Sequence, residues 1–175
     1  MNPSLRLIPL VLCGISATAA AQAPVSDALR STAKRSGTNL VAAAEEMPAG
    51  KYGFKPTPAQ MSFGDVIAHL SGGNDFLCSS ISVVTAPKRP EIKGGAPKAK
   101  LVSALRESFQ FCESALGKVN DSGLSQKVPF FGNREVSRAE MMFAAGEDWA
   151  DHYSQLAIYL RLNGLLPPTA KHKQE

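Results

Sequence analysis

SRAEMMFAAGEDWADHYSQLAIYLRLNG, Ser137–Gly164, carries the clearest helical pattern in this 175-residue chain. It reads as one long helix with marked ends. Ser137 is a natural N-cap, and Glu140 three residues later completes a capping-box pattern. Gly164 stops the helix, and Pro167 and Pro168 prevent its return. Within it, Asp148, His152, Gln155 and Tyr159 recur at i, i+4, i+7 and i+11, so they share one face. A carboxylate and an imidazole one turn apart can hold one metal ion. The plainer reading is a solvated Asp–His contact worth roughly a few tenths of a kcal/mol. Glu147 and Asp151 turn away from this stripe and read as solvated acids. Gln155 and Tyr159 read first as hydrogen-bonding groups between helices, and second as neighbours of a metal or substrate.

Three more amphipathic segments precede this one. Asp27–Met47 carries Leu29, Ala33, Leu40, Ala44 and Met47 on one stripe and ends at Pro48. Gly37 weakens its middle by about 1 kcal/mol relative to alanine. Ser62–Val84 starts at a Ser62 cap with Asp65 in the first turn. Its apolar face comprises Phe63, Val66, Ile67, Leu70, Leu77, Ile81 and Val84, with His69 beside it. A lone histidine there is more often a hydrogen-bonded core residue than a ligand. Gly72 and Gly73, a turn beyond, cost stability and allow close approach of a backbone or a ligand. Lys98–Val119 buries Leu101, Leu105, Phe109, Cys112, Leu116 and Val119.

The links are rich in turn formers. Pro48–Gln60 has Tyr52 and Phe54, which read as a lid folded onto the core. Thr85–Pro97 should be exposed. Asn120–Arg134 is the longest irregular link, with Phe130 and Phe131 tucking it against the helices. No convincing strand and no internal repeat is visible. The expected architecture is an all-α four-helix bundle with long crossover connections.

Met1–Ala21 reads as a secretory signal peptide: Arg6 in the n-region, an apolar run Leu7–Ile15, and small residues to Ala21, where cleavage is expected. Leu12 before Cys13 argues against a lipid anchor. The domain is then expected at residues 22–168, followed by a polar tail, 169–175, that holds His172. No stretch is long and apolar enough for a stable membrane span, so the product is expected to be periplasmic or secreted. Cys78 and Cys112 remain after cleavage; they pair or stay as free buried thiols, and sequence leaves both open. The net charge of +4 and the pI near 9.1 reflect scattered Lys and Arg. No motif or aromatic–basic alternation points to nucleic acid, and no GxSxG points to a serine nucleophile.

Two quoted stretches carry a resemblance to a known family. MPAGKYGFKPTPAQMSFGDVIAHLSG, Met47–Gly72, and DWADHYSQLAIYLRLNGLLPP, Asp148–Pro168, stand in order at a suitable separation; FLCSSI, Phe76–Ile81, adds a weaker third. Together they resemble the DinB-like family of bacterial helical bundles. The resemblance implies a divalent metal, zinc or nickel, held by one histidine of the second helix and two residues at i and i+4 of the fourth. Carried onto this sequence, the ligands are His69, Asp148 and His152. Asp148 stands where the family has histidine. Aspartate is still an oxygen ligand for zinc, and it shifts preference toward iron, manganese or a more hydrated zinc. Relatives transfer thiols to electrophiles or look like metal-dependent hydrolases, and are often dimers. The expected function is metal-dependent hydrolysis or transfer on an unidentified small molecule. The alternative is a non-catalytic exported bundle that binds a small ligand or a protein partner.

Overall fold

The computed structural model describes residues 23–171. The expected signal peptide, with Cys13, and the end of the expected tail, with His172, lie outside the described residues. The four main helices are α1 (Pro24–Glu46), α2 (Phe63–Ser82), α3 (Lys98–Leu116) and α4 (Arg138–Leu162). A short α5 (Pro168–Lys171) follows.

The helix ends show local chemistry at work. Ser137 Oγ accepts the Glu140 N–H at 3.1 Å. Gly164, at φ +75°, donates to the Arg161 carbonyl while Leu165 N–H donates to that of Leu160, a Schellman closure. The reciprocal capping box forms at α2: Ser62 Oγ accepts from Asp65 N–H, and Asp65 accepts from Ser62 N–H, both at 3.1 Å. The Ser62 hydroxyl also donates to Asp65 Oδ2 at 2.5 Å, and this bond, with that from the Ser62 N–H, holds the Asp65 carboxyl below the usual carboxylate range. α1 starts at Pro24, three residues before the expected Asp27. Its N-cap Ala23 supplies no side-chain bond. Instead Asp121, from the link after α3, accepts from the N–H groups of Val25 and Ser26 and from Ser26 Oγ.

α1 packs on α3 and α4, and α2 packs on the same two helices, so consecutive pairs α1/α2 and α3/α4 sit on diagonals. The Asn74–Ser108 and Cys78–Cys112 pairings show that α2 and α3 run parallel. The segment between them must therefore travel back along the bundle, which is an overhand crossover. None of the described helices is long and apolar enough to cross a membrane.

Cys78 and Cys112 are paired, with Cα atoms 5.2 Å apart, and both are fully buried. This settles the pairing that spacing left open. Gly37 is explained by packing: a Cβ there would lie 2.9 Å from the Phe109 ring, so its absence lets α3 close on α1. Tyr52 and Phe54 take the packing role. Tyr52 is buried, and its hydroxyl donates to the Ala44 carbonyl at 2.7 Å. Phe54 meets the Tyr159 ring edge-on.

The expectation of no strand is corrected. The link after α3 contains a hairpin, β1 (Lys127–Phe130) and β2 (Arg134–Ser137), antiparallel with buried Val128 opposite buried Val136. Four-residue strands, one with Pro129, are too short for alternation to show, and a two-stranded ribbon tolerates proline because both strands are edges. Its tip turns through Gly132 and Asn133 at positive φ. Phe130 packs on the core as expected, but Phe131 stays 55% exposed. Beyond Pro168, Thr169 exchanges hydrogen bonds with the Tyr153 hydroxyl, and Lys171 pairs with Glu46 at the end of α1.

Candidate metal centre

The antiparallel packing of α2 and α4 brings together the three residues singled out from sequence. One ligand atom from each of His69, Asp148 and His152 lies within 4.8 Å of the others. His69 is exposed, and Asp148 and His152 are half-buried, so the group opens to water on the α2 side. The two imidazole rings are 4.9 Å apart, tilted by 31°. Because it is exposed, His69 is not a buried core histidine.

His152 is oriented by its own helix. Its Nδ1 lies 2.7 Å from the Asp148 backbone carbonyl and 3.4 Å from Asp148 Oδ1. A carbonyl only accepts, so Nδ1 carries the proton and Nε2 keeps its lone pair for a ligand. Asp148 is held in a different balance. Burial pushes its carboxyl above the usual range, His152 and His69 pull it back, and Asp151 pushes it up again. The net shift is upward. A half-buried carboxylate whose charge is under-compensated, beside an imidazole with a free Nε2, fits a divalent cation. Two nitrogens and one oxygen suit zinc, iron or manganese and leave coordination positions open.

Hydrogen bonds flank the triad and fix the register of α4. On one side, Trp149 Nε1–H donates to Asn74 Oδ1 at 2.7 Å, and Asn74 Nδ2 donates to Ser108 Oγ at 2.9 Å. This buried chain ties α4, α2 and α3 beside Asp148. On the other side, the Tyr159 hydroxyl donates to the Met61 carbonyl at 2.9 Å and accepts from Gln155 Nε2 at 3.1 Å. Tyr159 thus ties α4 to the link before α2, while the Gln155 bond stays within α4, so neither makes the expected bond between helices. Sequence reading missed Asn74, Ser108 and Trp149. The available signal was an asparagine on the apolar side of α2, between Leu70 and Leu77. Grooves of about 530 Å³ between α1 and α4, about 500 Å³ between α1 and α3, and about 570 Å³ between the link before α2 and residues 91–94 are lined by residues other than the three candidate ligands.

Fold and site together define a four-helix bundle with three candidate metal ligands between its second and fourth helices. The DinB superfamily profile matches residues 32–156, and the chain belongs to that superfamily. No curated protein matches. Similar solved structures include a DinB-like protein from Bacillus cereus, with a TM-score of 0.67, 15% identity, and coverage of 81% of this chain and 95% of that one. A DinB-like protein from Bacillus subtilis has a TM-score of 0.63, 17% identity, and coverage of 78% and 92%. A mycothiol-dependent maleylpyruvate isomerase has a TM-score of 0.61 and 13% identity; the match covers 75% of this chain and 60% of that longer one.

Proposed function

We propose that this chain is an exported metal-dependent enzyme that acts on a small molecule, with His69, Asp148 and His152 as the protein ligands of a divalent ion, zinc first. The convergence of the three ligand atoms on a water-facing edge carries this reading. A divalent ion there supplies Lewis acidity and lowers the pKa of a bound water or thiol. The residues do the rest. His152 offers Nε2 in a fixed orientation, Asp148 offers charge, and exposed His69 leaves the approach open. The likeness to a thiol-dependent isomerase makes a thiol one candidate for activation. Export favours water, and so hydrolysis, because low-molecular-weight thiols of that kind belong to the cytosol. The buried Cys78–Cys112 bridge accords with an oxidising compartment.

The test is metal content by inductively coupled plasma mass spectrometry, on the mature protein expressed in the periplasm and on His152→Ala. About one metal per chain is expected in the first and near none in the second. Near-zero metal in both, even after incubation with zinc, nickel, manganese and ferrous iron, would leave a non-catalytic binding bundle.

A further inference from the structure

The groove that holds the triad continues toward the β1–β2 hairpin. On α2, His69, Gly72, Gly73 and Phe76 recur at i, i+3, i+4 and i+7, so they line one stripe. Phe131, at the hairpin tip, stacks on Phe76 with ring centroids 4.5 Å apart, and Phe130 meets Phe131 at 5.2 Å. β1 packs against both α2 and α4, which places this aromatic pair at the end of the groove. Two helical turns, roughly 10 Å, separate His69 from Phe76.

Between them lies bare helix backbone. A Cβ on Gly72 or Gly73 would meet nothing within 4 Å. Gly37 and Gly64 are different: a Cβ there would run into Phe109 or the Gly94 carbonyl. Packing explains those two glycines and does not explain Gly72 and Gly73, each of which weakens a helix interior relative to alanine. Phe131 is equally unexplained by stability, since more than half of its surface stays in water.

We propose that these residues determine specificity at the metal centre: the Phe76–Phe131 pair and the bare backbone at Gly72 and Gly73 seat an aromatic ring of the substrate, while its polar reacting group reaches His69, Asp148 and His152. This rests on the metal reading of the site. The span suits a ring joined to the reacting carbonyl by a short linker. An exposed phenyl face offers offset or edge-on stacking to a flat apolar group. The missing Cβ atoms let that group lie against the helix, and its apolar body keeps water from one side of the reacting group.

The experiment uses protein loaded with Co²⁺ and follows its visible absorption on titration with acetohydroxamate and 3-phenylpropanohydroxamate. These two metal-binding probes share the chelating group, and the second adds a phenyl ring on a two-carbon linker. Wild type should bind the phenyl probe about tenfold more tightly. Phe131→Ala and Gly73→Leu should each remove most of that preference, with Co²⁺ stoichiometry and acetohydroxamate affinity unchanged. Phe131→Ala alters an exposed side chain and does not threaten the fold. Gly73→Ala should raise Tm by about 2–4 °C, because the fold has no use for the missing methyl. Equal affinity for the two probes in wild type, or a phenyl preference that survives both variants, overturns the inference and leaves the metal site standing. Absence of Co²⁺ binding by wild type overturns both.

Discussion

α2 turns one face to α3 and another to its groove with α4, and the two are built from opposite chemistry. The α3 side is closed: Cys78 is bonded to Cys112, Asn74 donates to Ser108, and all four residues are buried. The groove side carries His69, Gly72, Gly73 and Phe76, of which only Phe76 packs against the core. Stability is concentrated where it leaves the chemistry free. A covalent staple and a buried polar chain hold α2 in place, so the exposed face can keep two glycines and an exposed imidazole.

If that division holds, removing the covalent staple of the closed face should cost stability and spare metal binding. The largest effect is expected from Cys78→Ala combined with Cys112→Ala. With the cysteines 34 residues apart, the chain-entropy account gives a loss of roughly 3–4 kcal/mol. Urea unfolding measures it, and metal stoichiometry should stay as in wild type. Loss of metal in this variant would break the comparison.

Asn74→Ala comes next. It strands the Trp149 N–H in a buried site and leaves Ser108 without its donor, at a cost of about 2–3 kcal/mol by urea unfolding. Because Trp149 adjoins Asp148, this variant should also lower metal affinity several-fold, which the disulfide variant should not do. The difference between the two would identify the Asn74–Trp149 bond as the connection between the faces.

The smallest effect on stability is expected from Asp148→Asn, within about 1 kcal/mol of wild type in the metal-free protein. Its signature is in the pH dependence. The Asp148 carboxyl is raised in the folded state, so the native protein binds its proton more tightly than the unfolded chain does. Metal-free stability therefore gains from this group at low pH and loses as pH rises from 3.8 through the raised value. Asparagine should remove that decline. Asp65, lowered by Ser62, works in the opposite direction: its contribution is present above 3.8 and is lost as pH falls. Urea midpoints between pH 3 and 7 separate the two. A large loss at pH 7 in Asp148→Asn would mean that the triad is structural.

Much of this was legible because it is local. Ser137, Gly164 and Ser62 act on backbone groups within a turn, and the i, i+4 spacing of Asp148 and His152 needs only a helix. The hairpin was not legible, because its strands gain their order from Val128 and Val136 packing inward rather than from their own pattern. The Asp121 cap on α1 was hidden for a related reason: donor and acceptor are 95 residues apart.

Periodicity and near neighbours along the chain are enough for the four main helices, for the caps of α2 and α4 and for the Asp148–His152 spacing; His69 joined that pair through the family resemblance. Tertiary structure alone decided that α2 and α3 run parallel, that Cys78 meets Cys112, and that His69 stands exposed across from His152. These depend on which faces bury against each other, and an apolar stripe says that it must be covered without saying by what.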